Sequence, residues 1–163
     1  MGVRNTEELG VNLQKIMNRL LANDNLVNLL YYSTKDPLNS PPLTNEQKQN
    51  EVYEKLIKIV PRVGPREDAK SVIVIRVVSA HKIPGNTDFK AIKIAIEVFV
   101  PLTQWFIKDS NLRPFAILGE VENSLEGKVI NGLGKITGGD FDINFLTEEM
   151  SAYEQTFFIT QYE

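Results

Sequence analysis

Leu9, Leu13, Ile16, Met17 and Leu20 recur at steps of three and four residues, which places them on one stripe of a helix. Asn5 and Glu8 have the spacing of a capping box, so the helix is expected to start near Thr6. Asn23-Asp24-Asn25 then interrupts it, because short polar side chains compete for nearby backbone groups. A second short helix, Leu26 to Tyr32, is predicted to restart from an Asp24 cap. Residues 33–45 carry Pro37, Pro41 and Pro42 among small polar residues, which predicts an extended surface arm. Thr44 and Gln47 offer another capping box, leading into a charged helix that should reach about Leu56. The alternating stretch 57–63 reads as a short edge strand, since Pro61 would be poorly tolerated inside a sheet.

Two strong strands come next. Ser71 to Ser79 is an almost unbroken β-branched run, the pattern of a strand covered on both faces. From Phe89 to Val100, Ile92, Ile94, Ile96, Val98 and Val100 share one face, while Ala91, Lys93, Ala95, Glu97 and Phe99 share the other. The connection 81–88 holds Pro, Gly, Asn and Asp, so the pair should form an antiparallel hairpin. Pro101 is expected to end the second strand, and the segment to Asn111 to be a crossover. A helix begins near Pro114 and stops at Gly127. Asp140 to Leu146 and Glu154 to Tyr162 alternate as a final pair of strands, with an acidic hairpin loop between them. The sum is an α+β chain: an antiparallel or mixed β-sheet of about four main strands with helices packed on one face, an N-terminal helical segment and a Pro-rich arm. A single domain, 1–163, is expected, divided into helices at 6–32, the arm at 33–45 and an α+β core at 46–163.

Composition narrows the function. Of 163 residues, 42% are hydrophobic and 24% charged, which describes a folded chain. The 18 Lys and Arg against 21 Asp and Glu give a net charge of −3, which argues against a strongly basic nucleic-acid binder. No apolar run has the length of a membrane span, and the opening residues lack a secretory-signal pattern. The absence of Cys excludes disulfides, thiol catalysis and thiolate metal sites, and a single His removes the usual acid–base residue from most mechanisms.

The candidate chemistry is correspondingly thin. The glycines from Gly132 to Gly139 precede a strand instead of linking a strand to a helix, and no Gly-Lys-Ser/Thr occurs, so a flexible loop is expected there and not a phosphate cradle. Asp140 and Asp142 point the same way on a strand but lack further oxygen ligands, so a solvated face is expected. His81 reads as a strand-end residue. Arg62, Arg66 and Lys70 are offset by Glu67 and Asp68, which makes a surface loop. No catalytic residues, no metal and no cofactor are expected. Trp105 and Phe106, on the crossover, and Tyr31 and Tyr32, before the arm, are core residues or interface anchors, since Trp and Tyr are enriched at binding hot spots.

The phrase AIKIAIEVFVP, a helix opening at RPF, the glycine-rich segment and a terminal strand closing on FFITQY together resemble the tail terminator proteins of long-tailed bacteriophages. The resemblance covers roughly residues 70–163, with weaker agreement over 6–22. The stretch LLYYSTKDPLNSPPLT is similar to segments of phage neck or tail-completion proteins. What the resemblance implies is a structural virion protein, located in the tail or neck and assembled in the host cytoplasm. It would form a homo-oligomeric ring, usually a hexamer, that caps the tail tube and joins it to the head-side connector or neck protein. The tail tube protein and the connector are then its partners, the sheath is a further candidate, and DNA passes through the lumen without specific binding. The arm, with Pro37, Pro41 and Pro42, would reach a neighbour, and the acids Glu148 and Glu149 would face the lumen. The alternatives are a neck or head-completion ring, a small ligand-binding module and an enzyme built on scattered carboxylates.

Overall fold

The computed structural model describes residues 6–59 and 70–160. The two opening helices are α1, Glu8–Leu21, and α2, Asp24–Tyr31. The expected Asn5 cap lies outside the described residues. Asn23, not Asp24, caps α2: its Oδ1 accepts from the Leu26 N–H at 3.1 Å. Its amide donates at 2.9 Å to both the Glu120 carboxylate and the Ser124 hydroxyl. Asp24 instead takes the Lys48 ammonium at 2.6 Å.

The arm is not extended. Pro37–Asn39 forms a 3₁₀ turn, Pro37 and Leu43 are buried, and Asn28 on α2 donates to the Ser40 carbonyl. Thr44 and Gln47 do form the capping box, but the helix they open, α3, covers only Asn45–Gln47. It widens into a π turn over Lys48–Val52. Glu54, at φ 62°, then reverses the chain into β1, Ile57–Lys58. The charged helix to Leu56 is thus cut short, and the edge strand at 57–63 is confirmed only over 57–58; residues 60–63 lie outside the described residues.

The hairpin strands are longer than their sequence pattern suggested. β2 spans Val72–Ile83 and β3 spans Asn86–Pro101, so the connection shrinks from 81–88 to a turn at Pro84 and Gly85. Gly85 has φ 80°, a conformation glycine adopts without a Cβ clash. Pro101 is the last strand residue, and the crossover contains a small hairpin of β4, Phe106–Ile107, and β5, Asn111–Leu112. Helix α4 runs Arg113–Leu125, with Gly127 beyond its end at φ 69°. β6, Val129–Ile130, leads into β7, Gly134–Leu146, and β8, Met150–Thr160, closes the described chain. The glycine cluster is therefore ordered as a turn and the first half of a strand, because Leu133 and Ile136 are pulled into the core beside it.

Among the described residues the sheet has six strands in the order β1-β2-β3-β8-β7-β6. Among these strands only β1 is parallel to its neighbour; the four long strands β2, β3, β8 and β7 are antiparallel throughout. The expected four main strands are these four, and two short strands flank them. On one face Ile73, Ile75, Ile94, Ile96, Val98, Phe157, Ile159 and Ile136 are buried beneath α1, α2 and α4.

At the centre of the helical layer lies Arg113, the first residue of α4, with no exposed surface. Its guanidinium donates to the carbonyls of Leu29, Tyr32, Thr34 and Gln104, and its own N–H donates to the Trp105 carbonyl. Leu29 belongs to the last turn of α2, where unpaired carbonyls and the helix dipole favour a cation. Burial lowers the Arg113 pKa to about 10, so it remains charged at neutral pH. Arg113→Ala is expected to lower the unfolding free energy by about 3 kcal/mol or more, because several buried carbonyls lose their donor at once. The folded chain binds this proton less tightly than the unfolded one, so the group makes stability rise with pH only above about 10. Urea titrations should therefore find the same deficit in the variant from about pH 5 to about pH 9.

Candidate functional site

The aromatic and proline candidates fall into two places joined by Arg113. In the first, Tyr31 and Tyr32 stand edge to face with ring centroids 5.0 Å apart. The Lys70 ammonium lies 3.7 Å from the Tyr31 ring centroid, a cation–π contact. A hydrogen bond to Glu51, and burial, raise the Tyr31 hydroxyl pKa above its ordinary value. The Tyr32 hydroxyl donates to the Pro41 carbonyl at 2.8 Å. Pro41 and Pro42 are exposed, whereas Pro37 is in the core. The Lys108 N–H donates to the Lys35 carbonyl, and its ammonium reaches Asp36 at 3.4 Å. The Pro-rich segment is thus tied to its own chain along its length. Arg62, Arg66, Glu67 and Asp68 lie outside the described residues.

In the second place, half-buried Trp105 packs on Tyr153 with centroids 6.2 Å apart. Tyr153 also meets Phe115 at 5.4 Å and Phe141 at 6.2 Å. These four rings sit where α4 stops covering the β7–β8 side of the sheet. Phe141 and Ile143 are 46% and 56% exposed, so the aromatic row continues into solvent. Phe106 is 70% exposed and points away from its buried neighbour Ile107. Trp105 therefore packs within the chain, and Phe106 stays at the surface. Phe115, Phe141 and Tyr153 are separated by up to 38 positions in sequence; the β7–β8 register brings Phe141 near Tyr153, and the packing of α4 on the sheet adds Phe115.

The opposite face of the sheet is charged. Arg76 donates to Glu97 at 2.9 Å and to Glu154 at 2.6 Å, linking β2, β3 and β8. Burial alone would lower the Arg76 pKa, but the hydrogen bonds to Glu97 and Glu154 outweigh it and hold the pKa above its ordinary value. The Asn144 amide reaches Glu97 from β7 at 3.4 Å. Asp140, Asp142 and His81 are exposed on strands β7 and β2. Glu148 and Glu149 are exposed at the tip of the β7–β8 hairpin, where the Leu102 N–H donates to the Glu149 carbonyl. Among the described residues no helix is long and apolar enough to cross a membrane.

Because Phe141 leaves nearly half its surface in water, Phe141→Ser is expected to change stability by about 1 kcal/mol or less. Phe157→Ala, fully buried one strand away, should cost about 3 to 5 kcal/mol, and denaturant melts of the two variants separate a surface anchor from a core residue.

A comparison with curated proteins gave no match. The sequence pattern of the family described as YomW matches residues 23–159, from the Asn23 cap through the end of β8. The chain therefore belongs to the YomW family, a phage-type family (Bacillus phage SPbeta-like prophage).

Proposed function

We propose that the protein is a structural component of the phage particle, a ring-forming tail terminator that caps the tail tube and joins it to the head-side connector. Membership of a phage-type family supports the setting. The observation that carries the reading is the sheet itself. It has helices on one face only, and both outer long strands, β2 and β7, keep most of their length without a strand partner among the described residues. Such edges invite pairing with another chain, and repeated head-to-tail pairing closes into a ring when the rotation allows. In this reading the helices lie outside and the charged face, with Arg76, Glu97 and Glu154, turns toward the lumen. Glu148 and Glu149, at the hairpin tip, would lie at its mouth and repel passing DNA.

The ring reading predicts a native mass of roughly six chains, at high concentration or on tail tubes. Particles made without the protein should carry tails of uncontrolled length and no attached heads, seen by electron microscopy. A chain that stays monomeric on added tail tubes, or that is missing from purified particles, contradicts it. Changing both Glu148→Lys and Glu149→Lys is expected to slow DNA delivery without altering ring mass, and normal delivery would remove the lumen role of the tip.

A further inference from the structure

The ring reading leaves open which surfaces of the chain meet, and the two sheet edges supply a specific answer. Along β2-β3-β8-β7 the strands alternate in direction, so the outermost two run opposite ways. Placing β7 of one copy beside β2 of the next therefore adds one more antiparallel ladder and keeps the helices of both copies on the same side. An odd number of strands would have made the same step parallel.

The edges are available. β6 pairs with β7 only at Gly134 and Lys135, which leaves Thr137–Leu146 uncovered among the described residues. β1 pairs with β2 only at Ile73 and Val74, which leaves Ile75–Ile83 uncovered in the same sense. They are also complementary on both faces. On the helical side β7 presents the half-exposed Phe141 and Ile143, and β2 continues the apolar row with Ile75 and the partly buried Val77. On the charged side β7 presents Asp142, whose strand neighbour Glu154 is another acid. Asp142 has no ion-pair partner among the described residues. On that side β2 presents Arg76 and His81, with Lys93 behind them on β3.

A single register satisfies all of these at once. With Asp142 opposite Arg76, Phe141 falls beside Val77 and Ile143 beside Ile75. This window lies between the two irregularities of β7, at Gly138/Phe141 and Ile143/Phe145. On β2 it lies between the end of β1 and the irregularity at Val77/Ser79. The irregularities keep the edges from zipping indiscriminately. Two β7 edges would set Asp142 against Asp142, so twofold pairing of that edge is disfavoured. We infer that copies of this chain join head to tail by antiparallel pairing of the β7 edge with the β2 edge of the next copy, with Asp142 opposite Arg76. The contact rests on the ring reading and specifies how that ring is built.

The chain contains no cysteine, so a disulfide test needs no background changes. Within one molecule Val77 and Phe141 lie three strand spacings apart, about 14 Å, beyond the roughly 7 Å limit for bridging. Oxidising the concentrated double variant Val77→Cys/Phe141→Cys should give a ladder of covalent species larger than dimers, while each single variant gives dimers at most. Equal dimer yields in all three variants with nothing larger would overturn the proposal. Adding Asp142→Arg to the double variant should cut the yield several-fold with unchanged circular dichroism, and an unchanged yield would reject the Asp142–Arg76 register. In the cysteine-free chain, Asp142→Arg alone should shift sedimentation toward the monomer, which keeps the test independent of cysteine effects on folding. A ladder ending at one size supports both the contact and the ring, whereas a ladder without limit supports the contact and removes the terminator reading. A closed ring of native mass that never cross-links keeps the terminator reading and overturns this contact.

Discussion

A buried cation that meets carbonyls and, among the described residues, no carboxylate organises the helical half of the protein. Arg113 draws together the last turn of α2, the start of the Pro-rich segment and the exit from β3 by offering one planar fork of donors to four carbonyls. Removing a guanidinium from water is expensive, and dipolar carbonyls repay it only when several converge in the right geometry. That condition fixes where α4 begins, because Arg113 is also its first residue. Once α4 is placed, its buried stripe of Ile117, Leu118, Val121 and Leu125 closes the core over β3 and β7.

The same constraint decides what the Pro-rich segment can do. Three prolines and no helical pattern suggested a free arm, yet Arg113, Tyr32 and Lys108 hold its backbone against the body. Within the chain, residues 33–45 form a clasp between α2 and the β3 exit. In the proposed assembly, contact with other copies passes through the sheet, where β2 and β7 keep most of their length without a strand partner among the described residues. In that proposal such edges, with the helices on one face, suit a repeating unit in a larger assembly. Membership of the phage-type YomW family supports a phage setting for that proposal.

Hydrophobic alternation made β3 legible almost residue by residue, because Ile92, Ile94, Ile96, Val98 and Val100 all face a helical layer and their opposite neighbours do not. Capping chemistry located the Thr44–Gln47 box and the Gly127 stop for the same local reason: a side chain or a left-handed glycine satisfies groups a few residues away. The glycines from Gly132 to Gly139 misled, since flexibility is their intrinsic property but Leu133 and Ile136 between them are held by the core. The hairpin at 81–88 misled in the opposite sense. Exposed residues such as His81 and Lys82 have no strand pattern of their own and become strand by pairing with β3.

What the chain determined unaided was its periodicity: which stretches are amphipathic helices, which faces of the long strands are apolar, where helices stop, and that thiol chemistry is absent. Those properties depend on neighbours within a turn or a pleat, so they survive in one dimension. Tertiary structure alone decided that Arg113 is buried, that Trp105, Phe115, Phe141 and Tyr153 form one cluster, and that Arg76 meets both Glu97 and Glu154. It also decided that β2 and β7, which nothing in the sequence marks, become the outermost long strands, flanked only by the short β1 and β6 among the described residues. Strand order and the meeting of distant side chains are set by how whole elements pack, and no local pattern encodes them.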